Sequence, residues 1–198
     1  MVAVALLACA LAVAAGSESS PSVTPEDAIG YRVRAIDARS QAWIRAGASG
    51  SATFRSLLAR LSKSDLIVYV VTVDRISGGA AGQLFFVTAT PRARYVRIEV
   101  AADRNLKDMV ALVGHELQHA VEIADAPRVR SPQSMALLYL GMPENSFRSQ
   151  YDSVAARVTE SRIRNEFAGY RAGPPSNSEG QSLARRWPEG AHRFASER

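Results

Sequence analysis

The 198-residue chain is predicted to fold as an α+β domain, a small and mostly antiparallel sheet packed on two helices. Three observations carry this expectation. Runs rich in β-branched residues cluster between positions 66 and 100, and patterns of helical period lie on either side of them. A glycine-bearing loop and a tight proline turn join the successive runs. With 47% hydrophobic and 22% charged residues, the composition is that of a globular protein, and the length suffices for one core.

The elements follow in order. Residues 31–47 carry a loose helical pattern in Ile36, Trp43 and Ile44. Gly47-Ala48-Ser49-Gly50-Ser51 reads as a turn whose last residue caps a helix bearing Phe54, Leu57, Leu58 and Leu61. Ser64-Asp65 ends it, and Leu66 to Val73 is the first predicted strand. Gly78, Gly79 and Gly82 mark a loop before a second strand, Leu84 to Thr90. After the turn at Pro91, the stretch from Arg94 to Val100 alternates, with Val96, Ile98 and Val100 on one face and Tyr95, Arg97 and Glu99 on the other. A helix capped by Asn105 or Asp103 comes next, striped by Leu106, Val110, Val113, Leu117 and Val121 and stopped by Pro127. A short helix over 132–140 and a long one over 146–170, opened by Asn145-Ser146 and ended by Gly173-Pro174-Pro175, complete the prediction.

The ends read differently from the middle. Met1 to Ala15 is apolar and uncharged, too short for a membrane span, and suits the core of a secretory signal. Leu6-Leu7-Ala8-Cys9 resembles a lipobox, but the apolar run continues past the cysteine, so simple export to a secreted or periplasmic destination is expected. Residues 16–30 form a linker rich in Ser, Pro and acid, 31–172 a single domain, and 173–198 a tail of disordered composition that holds His192, read as a surface residue. No transmembrane segment is expected once the signal is cleaved.

The chemistry concentrates in His115-Glu116-Leu117-Gln118-His119, which takes two of the chain's three histidines. At about 3.6 residues per turn, positions four apart share a helix face, so both imidazoles can grip one Zn²⁺. Glu116 is offset by about 100°, where it can serve a water as general base without ligating the metal. Cys9 is the only cysteine and falls in the predicted signal, so any zinc must be held by histidine and carboxylate, the ligands of a catalytic site.

Helix, strands, an H-E-x-x-H helix and then a further helix resemble the zincin metallopeptidases, most closely the gluzincin type, over roughly residues 51–170. The resemblance implies zinc ligation by His115 and His119, catalysis by Glu116, and an antiparallel edge strand that takes an extended peptide by β-addition. Arg94–Val100 is the candidate edge. The third ligand stays open among Asp152, Glu160 and Glu122. The metzincin pattern would need a glycine where Glu122 stands and a ligand at Asp125; Glu122 instead continues the helix, which carries Asp125 out of reach, and Glu122 reads either as acceptor for the His119 ring or as a solvated helix carboxylate. The gluzincin pattern draws a carboxylate from the next long helix, where Asp152, followed by the small Ala155 and Ala156, is favoured. Glu160, between Arg157 and Arg164, reads as an exposed ion pair. Tyr139, Tyr151 and Tyr170 are candidates to stabilise an oxyanion, or else core tyrosines.

The net charge of +5 is almost wholly arginine scattered along the chain, and no nucleic-acid motif accompanies it. The leading expectation is therefore a secreted zinc metalloprotease acting on a peptide or protein substrate. The alternative is a zinc-containing binding module of the cell envelope without catalysis.

Overall fold

The computed structural model describes residues 32–142 and 152–168. The predicted signal, linker and tail, together with Tyr151 and Tyr170, lie outside them. Strand β1 (Val33–Ala35) precedes helices α1 (Ala38–Gly50) and α2 (Ala52–Ser62). Strands β2 (Leu66–Val73), β3 (Gly82–Ala89) and β4 (Arg94–Ala101) follow, then α3 (Leu106–Ala124), α4 (Pro132–Leu140) and α5 (Val154–Phe167). The content is mixed, a four-stranded sheet with five helices among the described residues.

The sheet order is β1-β2-β4-β3, and this corrects two expectations. β1 pairs with β2, and β2 with β4, in parallel; only β3 runs antiparallel, against β4. The sheet is thus mostly parallel. Consecutive strands suggested hairpins, but β3 steps to the outside and β4 returns to lie beside β2. The Arg94 strand is accordingly interior, and β3 is the antiparallel edge. Val96, Ile98 and Val100 are fully buried, while Val87 on β3 is exposed.

The inward row of β2 and β4 joins Leu58, Val113 and Leu117 in one core. The opposite face carries Tyr69, Phe85 and Arg97, with Arg34 stacked on Tyr69 and Arg97 on Phe85. β1 was not anticipated, because three residues are too few to show alternation. Asp37 caps α1 and also accepts from the backbone and hydroxyl of Thr72, clamping that helix to the end of β2.

The predicted turn at 47–51 is helical through Gly50. Gly47 is there for closeness: a Cβ on it would stand 2.6 Å from the Phe54 ring. Ser51 caps α2 as expected and donates to Glu166 of α5, which also accepts from the Thr53 backbone.

Helix α3 is buried nearly all round. Asn105 caps it, as the sequence suggested. Leu106, expected on the apolar stripe, is exposed. At the other end Arg94, fully buried, donates to the carbonyls of Ile123, Ala124, Ala126 and Val129 while its other edge meets Asp65. Two of the four carbonyls, Ile123 and Ala124, belong to the last turn of α3, where a cation complements the helix dipole. Gly114 lets α5 approach α3, since a Cβ would fall 2.1 Å from Ile163. α5 begins at Val154 behind the cap Ser153 rather than at 146. Asp152 therefore stands just before the helix and not on it.

Candidate metal centre

His115 and His119 lie one turn apart on α3, and their Nε2 atoms face each other at 3.1 Å. Each ring is held from behind. His115 Nδ1 is 3.1 Å from Glu160 Oε2, and His119 Nδ1 is 2.9 Å from Glu122 Oε2. A carboxylate only accepts, so it fixes the proton on Nδ1 and leaves the Nε2 lone pair pointing forward. Two such lone pairs facing each other repel unless a cation or proton lies between them.

A third acceptor joins them. Asp152 Oδ1 is 3.5 Å from His115 Nε2 and is buried with no hydrogen-bond partner, whereas Oδ2 takes Arg157 at 2.9 Å. The ligand-type atoms of His115, His119 and Asp152 all fall within 4.8 Å of one another. Atoms held about 2.1 Å from one tetrahedral ion stand about 3.4 Å apart. The His115–His119 and His115–Asp152 pairs, at 3.1 and 3.5 Å, lie near that edge, and the third pair falls within the 4.8 Å limit. The donor set, two imidazoles and one carboxylate with an orphaned buried oxygen, fits Zn²⁺ with a position to spare.

Glu116 is buried beside the pair, and burial raises its carboxyl above the usual range, against the opposing pull of His119 and His115. Its carboxylate lies under the first residue of the edge strand: a Cβ built on Gly82 would stand 2.5 Å from Oε1. The sequence placed Gly82 in a loop; it is instead the first inward position of β3, in register with Val100.

The supports differ from expectation at one point. Glu160 forms the expected ion pair with Arg164, but it is only part-exposed and also meets His115. Its two oxygens divide between His115 and Arg164, the latter at 2.6 Å, and Arg164 reaches on to Asp108 at 2.9 Å. The His115 hydrogen bond, with Arg164 behind it, holds the Glu160 carboxyl down to about 2. The predicted partner Arg157 turns to Asp152. Spacing on one helix showed Glu160's arginine neighbours but not the helix packed across from it.

Glu122 is bound as expected, and Ser153 donates to its other oxygen while also capping α5. Burial raises this carboxyl but the His119 bond and its companions outweigh it, leaving a net depression. Helix α3 continues through Glu122, and Asp125 pairs with Arg60 on the surface, away from the histidines. Tyr139 sits behind His119, its hydroxyl 3.2 Å from Nδ1, and burial raises its pKa. From that side it steadies the ring and Glu122 rather than meeting an oxyanion. Ser153 was missed, and Arg157 was assigned to Glu160 instead of Asp152; a hydroxyl one residue after the favoured ligand was the available signal.

No protein-family model matches the chain, and neither curated proteins nor solved structures give a match to it.

Proposed function

We propose that the chain is an exported zinc-dependent hydrolase of the zincin type that cleaves peptide bonds. One observation carries the reading: two imidazole lone pairs and the unpartnered Asp152 Oδ1 converge beside a buried glutamate. His115, His119 and Asp152 would hold the ion. Zinc, when bound, supplies Lewis acidity that polarises a carbonyl and acidifies water.

The remaining chemistry belongs to the chain. Glu116 takes the proton of the attacking water and returns it to the departing amine nitrogen, and its burial makes it a stronger base than a solvated carboxylate. Glu160 and Glu122 keep both rings in the tautomer that frees Nε2. Among the described residues β3 is the outer strand of the sheet, and an extended peptide could add along it as a further strand. Among the described residues no helix is long and apolar enough to cross a membrane. Export rests on the apolar stretch of residues 1–15.

The test is Glu116→Gln. The variant keeps its shape and its zinc but loses hydrolysis by about 10²- to 10⁴-fold, the worth of a general base. A wild-type protein that holds zinc and cleaves no member of a broad peptide library would instead be the non-catalytic envelope module.

A further inference from the structure

We infer that Gly82 is a positioning residue: the missing side chain at the head of the edge strand is what keeps the Glu116 carboxylate in its catalytic place. The inference rests on the reading of Glu116 as the base. It begins from the pattern of β3. Gly82, Leu84 and Phe86 are in register with Val100, Ile98 and Val96, so all three face the helices. Two of the three positions carry large apolar side chains, and the third, over Glu116, carries none.

The backbone does not require that glycine. Unlike Gly78 and Gly79, Gly82 has no positive φ, so its conformation suits any L-residue. What excludes a side chain is the carboxylate. A Cβ on Gly82 would lie 2.5 Å from Oε1 and 3.0 Å from both the carboxyl carbon and Cγ of Glu116. Real Cβ atoms do not come so close to oxygen, so one of the two groups has to move. β3 is held by its ladder to β4 and by the bond from the Ala101 backbone to the Ala81 carbonyl, 2.8 Å long. The Glu116 carboxylate sits at the end of a flexible stem. The side chain yields before the strand does. Neither His115, His119 nor Asp152 is touched by the added carbon among the atoms nearest it.

A one-methyl substitution on a different element thus meets the Glu116 side chain first. Misplacing a catalytic group by about 1 Å can cost about 100-fold in rate.

The experiment compares wild type, Gly82→Ala, Glu116→Ala and the double variant. A crystal structure of Gly82→Ala shows the Glu116 carboxylate moved by about 1 Å or more with β3 in place. Its zinc content equals wild type, and kcat for peptide hydrolysis falls by about 10-fold or more. If Gly82→Ala lowers the melting temperature, the loss vanishes in the Glu116→Ala background, because the colliding group is gone. A carboxylate that stays while the strand backs away overturns the inference, as does an equal melting-temperature loss in both backgrounds. A wild type that binds no zinc, or cleaves nothing, defeats the proposed function separately and leaves these structural readings as they are.

Discussion

The two histidines of the motif are identical in chemistry and are supported in opposite ways. Behind His119 stand Glu122, Ser153 and Tyr139, a single carboxylate satisfied by neutral hydroxyls in a buried setting. Behind His115 stand Glu160, Arg164 and Asp108, an alternation of charges running out towards solvent, with Arg164 34% and Asp108 30% exposed. The first arrangement takes its strength from burial, since removing one member strands polar groups that water cannot reach. The second relies on Coulomb attraction, which solvent and salt weaken. One histidine is thus held stiffly and the other adjustably, and substitutions on the two sides should separate them.

The largest effect is expected on the buried side. Glu122→Ala leaves His119 Nδ1, the Ser153 hydroxyl and the Tyr139 hydroxyl without their shared acceptor. We expect a loss of about 3 kcal/mol in stability by denaturant titration, and zinc affinity weakened by about 100-fold in competition with a chelator. A loss under about 1 kcal/mol would mean the buried network is not the stiffer one.

On the charged side, Glu160→Ala is expected to weaken zinc binding by about 10-fold and to cost about 1 kcal/mol of stability. If Asp152 is the ligand proposed and Glu160 a support, Asp152→Ala should weaken zinc far more than Glu160→Ala. Equal losses would reverse the assignment of the two carboxylates.

The same pair sets a pH window for the zinc-free chain. Glu160, held at about 2 against an ordinary 4.5, stabilises the fold above 4.5 and gives that up as pH falls towards 2. Burial pulls His115 down, but Glu160 and the other carboxylates leave it raised above 6.5. It therefore stabilises below 6.5 and loses that contribution as pH rises through its folded value. Both contributions are complete only between about 4.5 and 6.5, so this pair should favour that interval in melting temperature. Glu160→Gln should flatten both limbs of the profile; an unchanged profile would show that the pair does not couple to folding.

The smallest effect belongs to Arg164→Ala. It should cost about 1 kcal/mol or less, and the gap from wild type should shrink at about 1 M salt, where the screening length is about 3 Å. Glu122→Ala, by contrast, should keep its cost in the same buffer.

The contrast also explains what could be read from sequence. His115, Glu116, His119 and Glu122 lie within two turns of one helix, where spacing alone fixes their mutual placement, and Glu122 meets His119 as expected. The Asn105 and Ser51 caps and the run from Leu66 to Val73 were legible for the same local reason. Asp152 was chosen for its small neighbours, yet its placement comes from the cap at Ser153 and the hold of Arg157, outside any helical face. Glu160 was misread because its decisive partner is 45 residues away on another helix. Strand order failed likewise: β2 and β4 are parallel neighbours although β3 lies between them in sequence, and alternation within a strand carries no record of its partner. Gly82 looked like a loop residue because its neighbour, Glu116, is visible only in three dimensions.

Whether the two imidazoles and Asp152 hold zinc is decided by metal content. Purified folded chain supplied with zinc should carry about one ion per molecule by elemental analysis, and His115→Ala, His119→Ala and Asp152→Ala should each reduce it sharply while the fold persists. A folded wild-type chain that takes up no zinc under those conditions would contradict the account.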